Sequence, residues 1–244
     1  MDKHALEKYA RLVIKTGLNL QQGQILVINS PIECAEFTRI IAEIAYKEGA
    51  KDVAVFWKDE LTSKIRYLHA PEEVFDSIPE WQRVFYHNYA LQGAAFLSIA
   101  AEDPELMKDV NPERMMRAQR AFSTTLKEYR SRLMSNQNTW CVISVPTKAW
   151  AQKVFPNIPQ EEAVQKLWEA ILKAVRADQA DPVQAWQEHK SNLNRYKDFL
   201  TKNNFRTLHF ENSLGTDLWV DLPEGHIWIA GGDSTPEGIE FIAN

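Results

Sequence analysis

Metal chemistry requires His, Asp, Glu or Cys gathered in space, and two pairs in this sequence meet that demand in outline. His209 and Glu211 stand two apart on a segment that alternates like a strand, so both would point to one face. Glu224 and His226 share that spacing. Two donors do not close a metal shell, and pairs of this kind also arise as ordinary polar residues of strands and turns. Asp217, Asp221 and Glu224 add an acidic set near a turn, equally at home in solvent. His4, His69, His87 and His189 are scattered and have no partner at ligand spacing. For nucleophilic catalysis, Ser98 and Ser144 sit inside apolar runs, and no G-x-S-x-G elbow is present. Cys34 shares the chain with His4 and His69, but nothing in its local context lowers a thiol pKa. No residue is therefore assigned a catalytic, cofactor-binding or metal-ligating role.

Nucleotide binding fails a similar test. A pyrophosphate needs a glycine-rich turn that lets the backbone approach at a helix N-terminus. After the first apolar run the chain reads Asn29-Ser30-Pro31, and its nine glycines leave little room for such a turn elsewhere. Trp57, Trp140 and Trp150 are placed at or just after strand carboxyl ends, where open parallel sheets bind ligands, although packing between layers accounts for them as well.

The elements that would position these residues follow from periodicity. Leu6, Tyr9, Ala10, Val13 and Ile14 recur at helical spacing, with Gly17 as the stop. Residues 24–29 (QILVIN) form a short apolar run, as in a strand covered on both faces. Ser30, Pro31 and Glu33 have the types and spacing of a helix cap, first-turn proline and back-bonding acid. The helix they open carries Phe37, Ile40, Ile41, Ile44 and Ala45 on one face and ends at Gly49. A second strand is predicted at 52–57, a helix at 61–69, and a linker near Pro71 and Pro79. A third strand follows at 94–100, one long helix from Asn111 to about Met134, and a fourth strand at 139–145. This alternation predicts an α/β fold with a mostly parallel sheet flanked by helices. Residues 146–204 are helical in character, with a core stripe from Val164 to Val175 and a further helix launched by Asp181-Pro182. From Phe205 the period changes to two. Strands at 205–211 and 216–222, joined through Asn212, Ser213 and Gly215, and a third at 226–230 predict an antiparallel meander. The expected organisation is an α/β domain over 1–204 and the strand-rich start of a second domain over 205–244.

Composition bounds the partners. The 244 residues are 45% hydrophobic and 25% charged, with a net charge of −5. A mildly acidic chain without a basic block is not built for general nucleic-acid binding. No apolar run approaches the ~18 residues of a membrane span, and the N-terminus lacks the apolar core of a secretory signal. The two cysteines, Cys34 and Cys141, read as buried reduced thiols. Together these features predict a cytoplasmic protein without membrane or nucleic-acid partners.

One stretch is more specific. Gly215-Thr216-Asp217-Leu218, followed by Leu222-Pro223-Glu224-Gly225-His226-Ile227-Trp228, resembles the signature of the aminopeptidase T and aminopeptidase S family of thermophilic-type metallopeptidases. Val145-Pro146-Thr147 with Trp150 and Phe155-Pro156, and residues 238–244 (GIEFIAN), are similar to further segments of that family. The resemblance implies an α/β N-terminal domain ahead of a catalytic domain that holds two divalent metal ions, zinc or cobalt. It implies removal of single residues from the amino end of peptides, in a homodimer. It also implies that the family's metal ligands lie beyond Asn244, so the 244 residues would be inactive alone, and it carries no ligand role onto Glu224 or His226. The alternative is a stand-alone α/β module binding a small ligand at the strand ends, around Asn29, Ser30 and Trp57.

Overall fold

The structure, a computed structural model, describes residues 1–243; Asn244 lies outside the described residues. Helix α1 (Lys3–Leu12) is capped by Asp2, whose carboxylate accepts from the His4 N–H, and runs into a π-helical turn at Val13–Gly17. Strand β1 (Ile25–Pro31) leads through a short 3-10 turn to α2 (Ala35–Lys47) and β2 (Asp52–Lys58). Helices α3 (Glu60–His69) and α4 (Glu80–Leu91) precede β3 (Ala95–Ala100). Then come α5 (Pro112–Thr125), α6 (Lys127–Met134) and β4 (Trp140–Ser144). Helices α7 (Lys148–Val154), α8 (Gln160–Ala174) and α9 (Pro182–Asn203) complete the helical part. Strands β5 (Thr207–Glu211) and β6 (Asp217–Asp221) form one antiparallel pair, and β7 (Asp233–Ser234) and β8 (Glu240–Phe241) another.

The predicted α/β fold is present: β1 to β4 form a parallel sheet in the order β2-β1-β3-β4. Side chains of a strand alternate between faces, and β1 shows what this requires when both faces are covered. Val27 joins Tyr86, Ala90, Phe96, Leu126 and Tyr129 in the core on one face. Asn29, two residues on, accepts a 2.6 Å hydrogen bond from the Tyr86 hydroxyl of α4. Ser30 points the other way, and its Oγ lies 2.7 Å from Thr38 Oγ1 of α2. Tyr9, Phe37 and Trp168 pack together as an aromatic trio from α1, α2 and α8.

Several local expectations are corrected. Ser30 is no helix cap and Pro31 no first-turn residue, because β1 continues through both, opposite Trp57 and Lys58 of β2. The pairing of β1 with β3 ends at Asn29, so beyond it Pro31 has only one strand neighbour, which suits a residue without an N–H. The segment near Pro79 is not a plain linker: α4 follows it, and its aromatic residues Phe85, Tyr86 and Tyr89 fill the space over the sheet. The long helix predicted from Asn111 breaks at Leu126, which is buried in that core. Gly49 does end the second helix, with a φ of 97° that favours glycine. Residues 226–230 form no strand. They lie between Gly225 and Gly231, both at positive φ, and Ile227 and Ile229 stay exposed.

By contacts the chain separates into two compact units, Met1–Val183 together with the segment from Asp233 onward, and Gln184–Gly232. In the first unit residues 240–243 return to the sheet: the Val142 N–H donates to the Ala243 carbonyl at 2.8 Å, and the Ile242 N–H to the Gly17 carbonyl at 2.8 Å. In the second unit the β5–β6 pair leaves Phe210, Leu218 and Trp219 exposed.

Asn138 carries a connection that periodicity could not show. It is buried, and its amide donates to the carbonyls of Ala90 (3.0 Å) and Ala94 (2.9 Å), tying the end of α4 to the start of β3. Asn138→Ala would remove the side-chain donor from the Ala94 carbonyl and leave the Ala90 carbonyl with the Gly93 N–H, which costs about 1–3 kcal/mol. Urea unfolding should show a lower midpoint with an unchanged slope.

Candidate functional site

The carboxyl ends of β1 to β4 open onto a crevice of about 740 Å³ within the first unit. In open parallel sheets, ligands bind where successive connections leave in opposite directions. The strand order β2-β1-β3-β4 puts that point between β1 and β3. Each strand sends its following segment to the crevice: Glu33 and Cys34 after β1, Glu60 and Leu61 after β2, Asp103 after β3, and residues 145–149 after β4. Glu36 in the first turn of α2 and Glu161 in the first turn of α8 add further carboxylates.

The crevice is electrostatically one-sided. Glu33, Glu36, Glu60, Asp103 and Glu161 line it, and Lys148 is the single basic side chain among the described residues that do. Burial raises the Glu60 carboxyl above its usual range; an N–H from Asp103 to Oε2 at 3.2 Å opposes this, while the charges of Glu102 and Glu33 add to it. Cys34 is 2% exposed, and its thiol is pushed up to about 12, first by burial and then by Glu33, Glu60 and Glu102. At neutral pH it is a protonated thiol, which makes it a poor nucleophile.

The residues singled out from sequence fall elsewhere. Asn29 and Ser30 are buried and engaged with Tyr86 and Thr38, so neither is offered to a ligand. Trp57 is half exposed on β2 and does not line the crevice. Trp140 opens β4, at the amino end of that strand, and packs against the Tyr86–Tyr129 core. Trp150 lies in the first turn of α7, one residue beyond the lining segment. The Ser144 carbonyl accepts from the Tyr9 hydroxyl at 3.3 Å. Cys141 is buried, and its thiol too is pushed up to about 12 by burial. No hydrogen bond or ion pair joins Cys34 to His4 or His69 among the described residues.

The paired donors are also accounted for. His209 and Glu211 do share strand β5, but His209 Nε2 lies 2.7 Å from Asp217 Oδ1, and its ring stacks on Trp219 at 3.8 Å. His226 sits in a turn, its Nδ1 3.0 Å from the Pro223 carbonyl and its ring edge-on to Trp228. His87 faces Glu128 at 3.5 Å, and His189 packs edge-on to Trp186. Among the described residues no three His, Cys, Asp or Glu side chains gather as a metal shell would require. A dinuclear metal centre does not fit the donors present among the described residues.

The crevice carboxylates were not singled out from sequence. Their signal was nonetheless there: each falls within a few residues of a strand's carboxyl end or in the first turn of a helix.

Comparison with known proteins supplies the family. Residues 2–244 match the thermophilic metalloprotease (M29) family. The chain is 45% identical over 239 residues to "Aminopeptidase 2" of Geobacillus stearothermophilus, covering 98% of this chain and 58% of that protein. It is 39% identical over 236 residues to "Aminopeptidase T" of Thermus thermophilus, covering 97% and 58%. The solved structure of wild-type AmpT from Thermus thermophilus superposes with a TM-score of 0.91 at 37% identity, covering 99% of this chain and 59% of that one. The chain thus spans just under three fifths of the length of these relatives. On a match that runs from residue 2 to residue 244, the chain belongs to the thermophilic metalloprotease (M29) family.

Proposed function

We propose that this chain is the N-terminal part of a metal-dependent aminopeptidase that removes single residues from the free amino end of peptides. The observation that carries this reading is the match of nearly the whole chain to relatives named aminopeptidases, at 45% and 39% identity. Two divalent metal ions, zinc or cobalt, would be held by side chains outside the 244 residues. Such ions would supply Lewis-acid chemistry toward a peptide carbonyl and a bound water.

In this reading residues 1–204 form a non-catalytic α/β domain, and 205–244 begin the catalytic one. The α/β domain walls the access route and restricts substrates to short, unfolded peptides. The exposed apolar side chains of β5 and β6 support a role for that hairpin in packing against further protein. The longer protein works as a cytoplasmic homodimer. Among the described residues no helix is long and apolar enough to cross a membrane.

Two measurements test the reading. The 244 residues incubated with zinc or cobalt and leucyl p-nitroanilide should release no chromophore above buffer, whereas the chain extended to the relatives' length should release it in a metal-dependent way. Turnover by the 244 residues alone would remove the placement of the metals. Surface substitutions on the α/β domain of the extended protein should broaden the range of peptide lengths it accepts, read as kcat/KM against peptide length. An unchanged profile would remove the access role.

A further inference from the structure

The two edges of the parallel sheet differ. Beyond β4 the edge is covered, since the Val142 N–H donates to the Ala243 carbonyl at 2.8 Å. Strand β2 is the outer strand beside β1, and no other strand joins it among the described residues. Every residue of β1 after Ile25 is buried, whereas none of β2 is. The open side of β2 is marked by Val53, whose N–H turns away from β1 to the Tyr46 hydroxyl at 3.1 Å and Asp52 Oδ1 at 2.9 Å. Alternation then turns the N–H and C=O groups of Val55 and Trp57 to that side as well. Open edges are commonly blunted by a proline or a charge, but residues 53–57 (VAVFW) contain neither. Trp57 is 41% exposed on one face beside the edge, and Trp81 of α4, stacked on Phe56 at 5.8 Å, is 57% exposed on the other.

The sequence along this edge complements itself when reversed. Residues 51–59 read KDVAVFWKD. A second copy turned antiparallel about Val55 sets Val53 against Trp57, Ala54 against Phe56, Asp52 against Lys58 and Lys51 against Asp59. Each charge meets its opposite, and each apolar residue meets an apolar one. A shift of one residue either way would set Lys51 against Lys58 or Asp52 against Asp59, so like charges exclude the neighbouring registers. We propose that a second copy of this chain pairs antiparallel with β2 about Val55, joining the two four-stranded sheets into one continuous sheet. The pairing is isologous, so every contact occurs twice. Because Val55 faces the open side, the central pair exchanges both of its N–H···O bonds. On pairing, Tyr46 yields the Val53 N–H to the second copy's Trp57 carbonyl. The pairing rests on β2 alone, so its failure would leave the aminopeptidase reading, and a homodimer built on another surface, untouched.

The test is sedimentation equilibrium of the 244-residue chain, combined with amide hydrogen exchange followed by NMR. The chain should form dimers, and the Val55 and Trp57 amides should exchange more slowly as its concentration rises, because pairing covers them. Lys58→Asp sets an acid against the second copy's Asp52, twice by symmetry, and should weaken the dimer about tenfold. Adding Asp52→Lys to that variant should restore most of the affinity, a recovery that a merely structural role for Lys58 would not give. Val55→Pro removes the central N–H on the open side, where a sheet tolerates proline, and should leave a monomer. Circular dichroism shows whether each variant keeps the fold. If Val55→Pro unfolds, the exposed Lys58 variant and the exchange profile of the wild-type chain still decide. Association through the exposed β5–β6 hairpin instead would give a dimer whose Val55 and Trp57 amides exchange as in the monomer, and that result would overturn the proposal. So would a monomeric wild-type chain, or a dimer unchanged by Lys58→Asp or not recovered by the double exchange.

Discussion

A strand buried on both faces tolerates no unpaired polar group, and β1 is the strand on which this constraint falls hardest. It lies between β2 and β3, with α4 and α6 over one face and α2 over the other. Its apolar residues need no help. Asn29 and Ser30, however, enter the same dry interior side by side and, by alternation, point in opposite directions. The Tyr86 hydroxyl answers Asn29 and Thr38 answers Ser30, so one dipeptide fixes a helix on each face of the sheet. An unsatisfied group at either position would oppose the packing of that layer.

The same constraint explains where the crevice lies. Because Asn29 and Ser30 are committed to the interior, the chain reaches solvent only after Pro31, in the 3-10 turn that brings Glu33 and Cys34 to the rim. From β2 and β3 the chain emerges at the same level with Glu60 and Asp103. Burial raises the Glu60 carboxyl there, and the charges of Glu102, Glu33 and Asp103 add to it. The opposite behaviour appears in the second unit, where His209, Asp217 and Trp219 satisfy one another on an exposed hairpin. There the side chains pair with one another, whereas in the crevice Glu60 and Asp103 accept from backbone N–H groups.

The fold class was legible in the sequence because short apolar runs separated by helical stripes leave few arrangements other than a covered parallel sheet. The aminopeptidase-like motif was legible too, since LPEGHIW is a contiguous string. What escaped was whatever depended on two distant segments meeting. Helix α4 has the β-favouring aromatics of a strand and is helical because Phe85, Tyr86 and Tyr89 fit over the sheet. Residues 226–230 have the pattern of a strand and remain irregular, because a strand is stabilised by the ladder it joins and none is offered to them.

By itself, then, the sequence determined the alternation of elements, the family and the absence of a local nucleotide or nucleophile motif, all of which are encoded in neighbouring residues. Only the tertiary structure decided that Ser30 is a buried bridge to Thr38, that Trp140 belongs to the core at the amino end of its strand, and that Glu33, Glu60, Asp103 and Glu161 share one crevice. The reason is physical. Periodicity records which face of an element is buried, but the identity of the opposing group is set by packing between segments far apart in the chain.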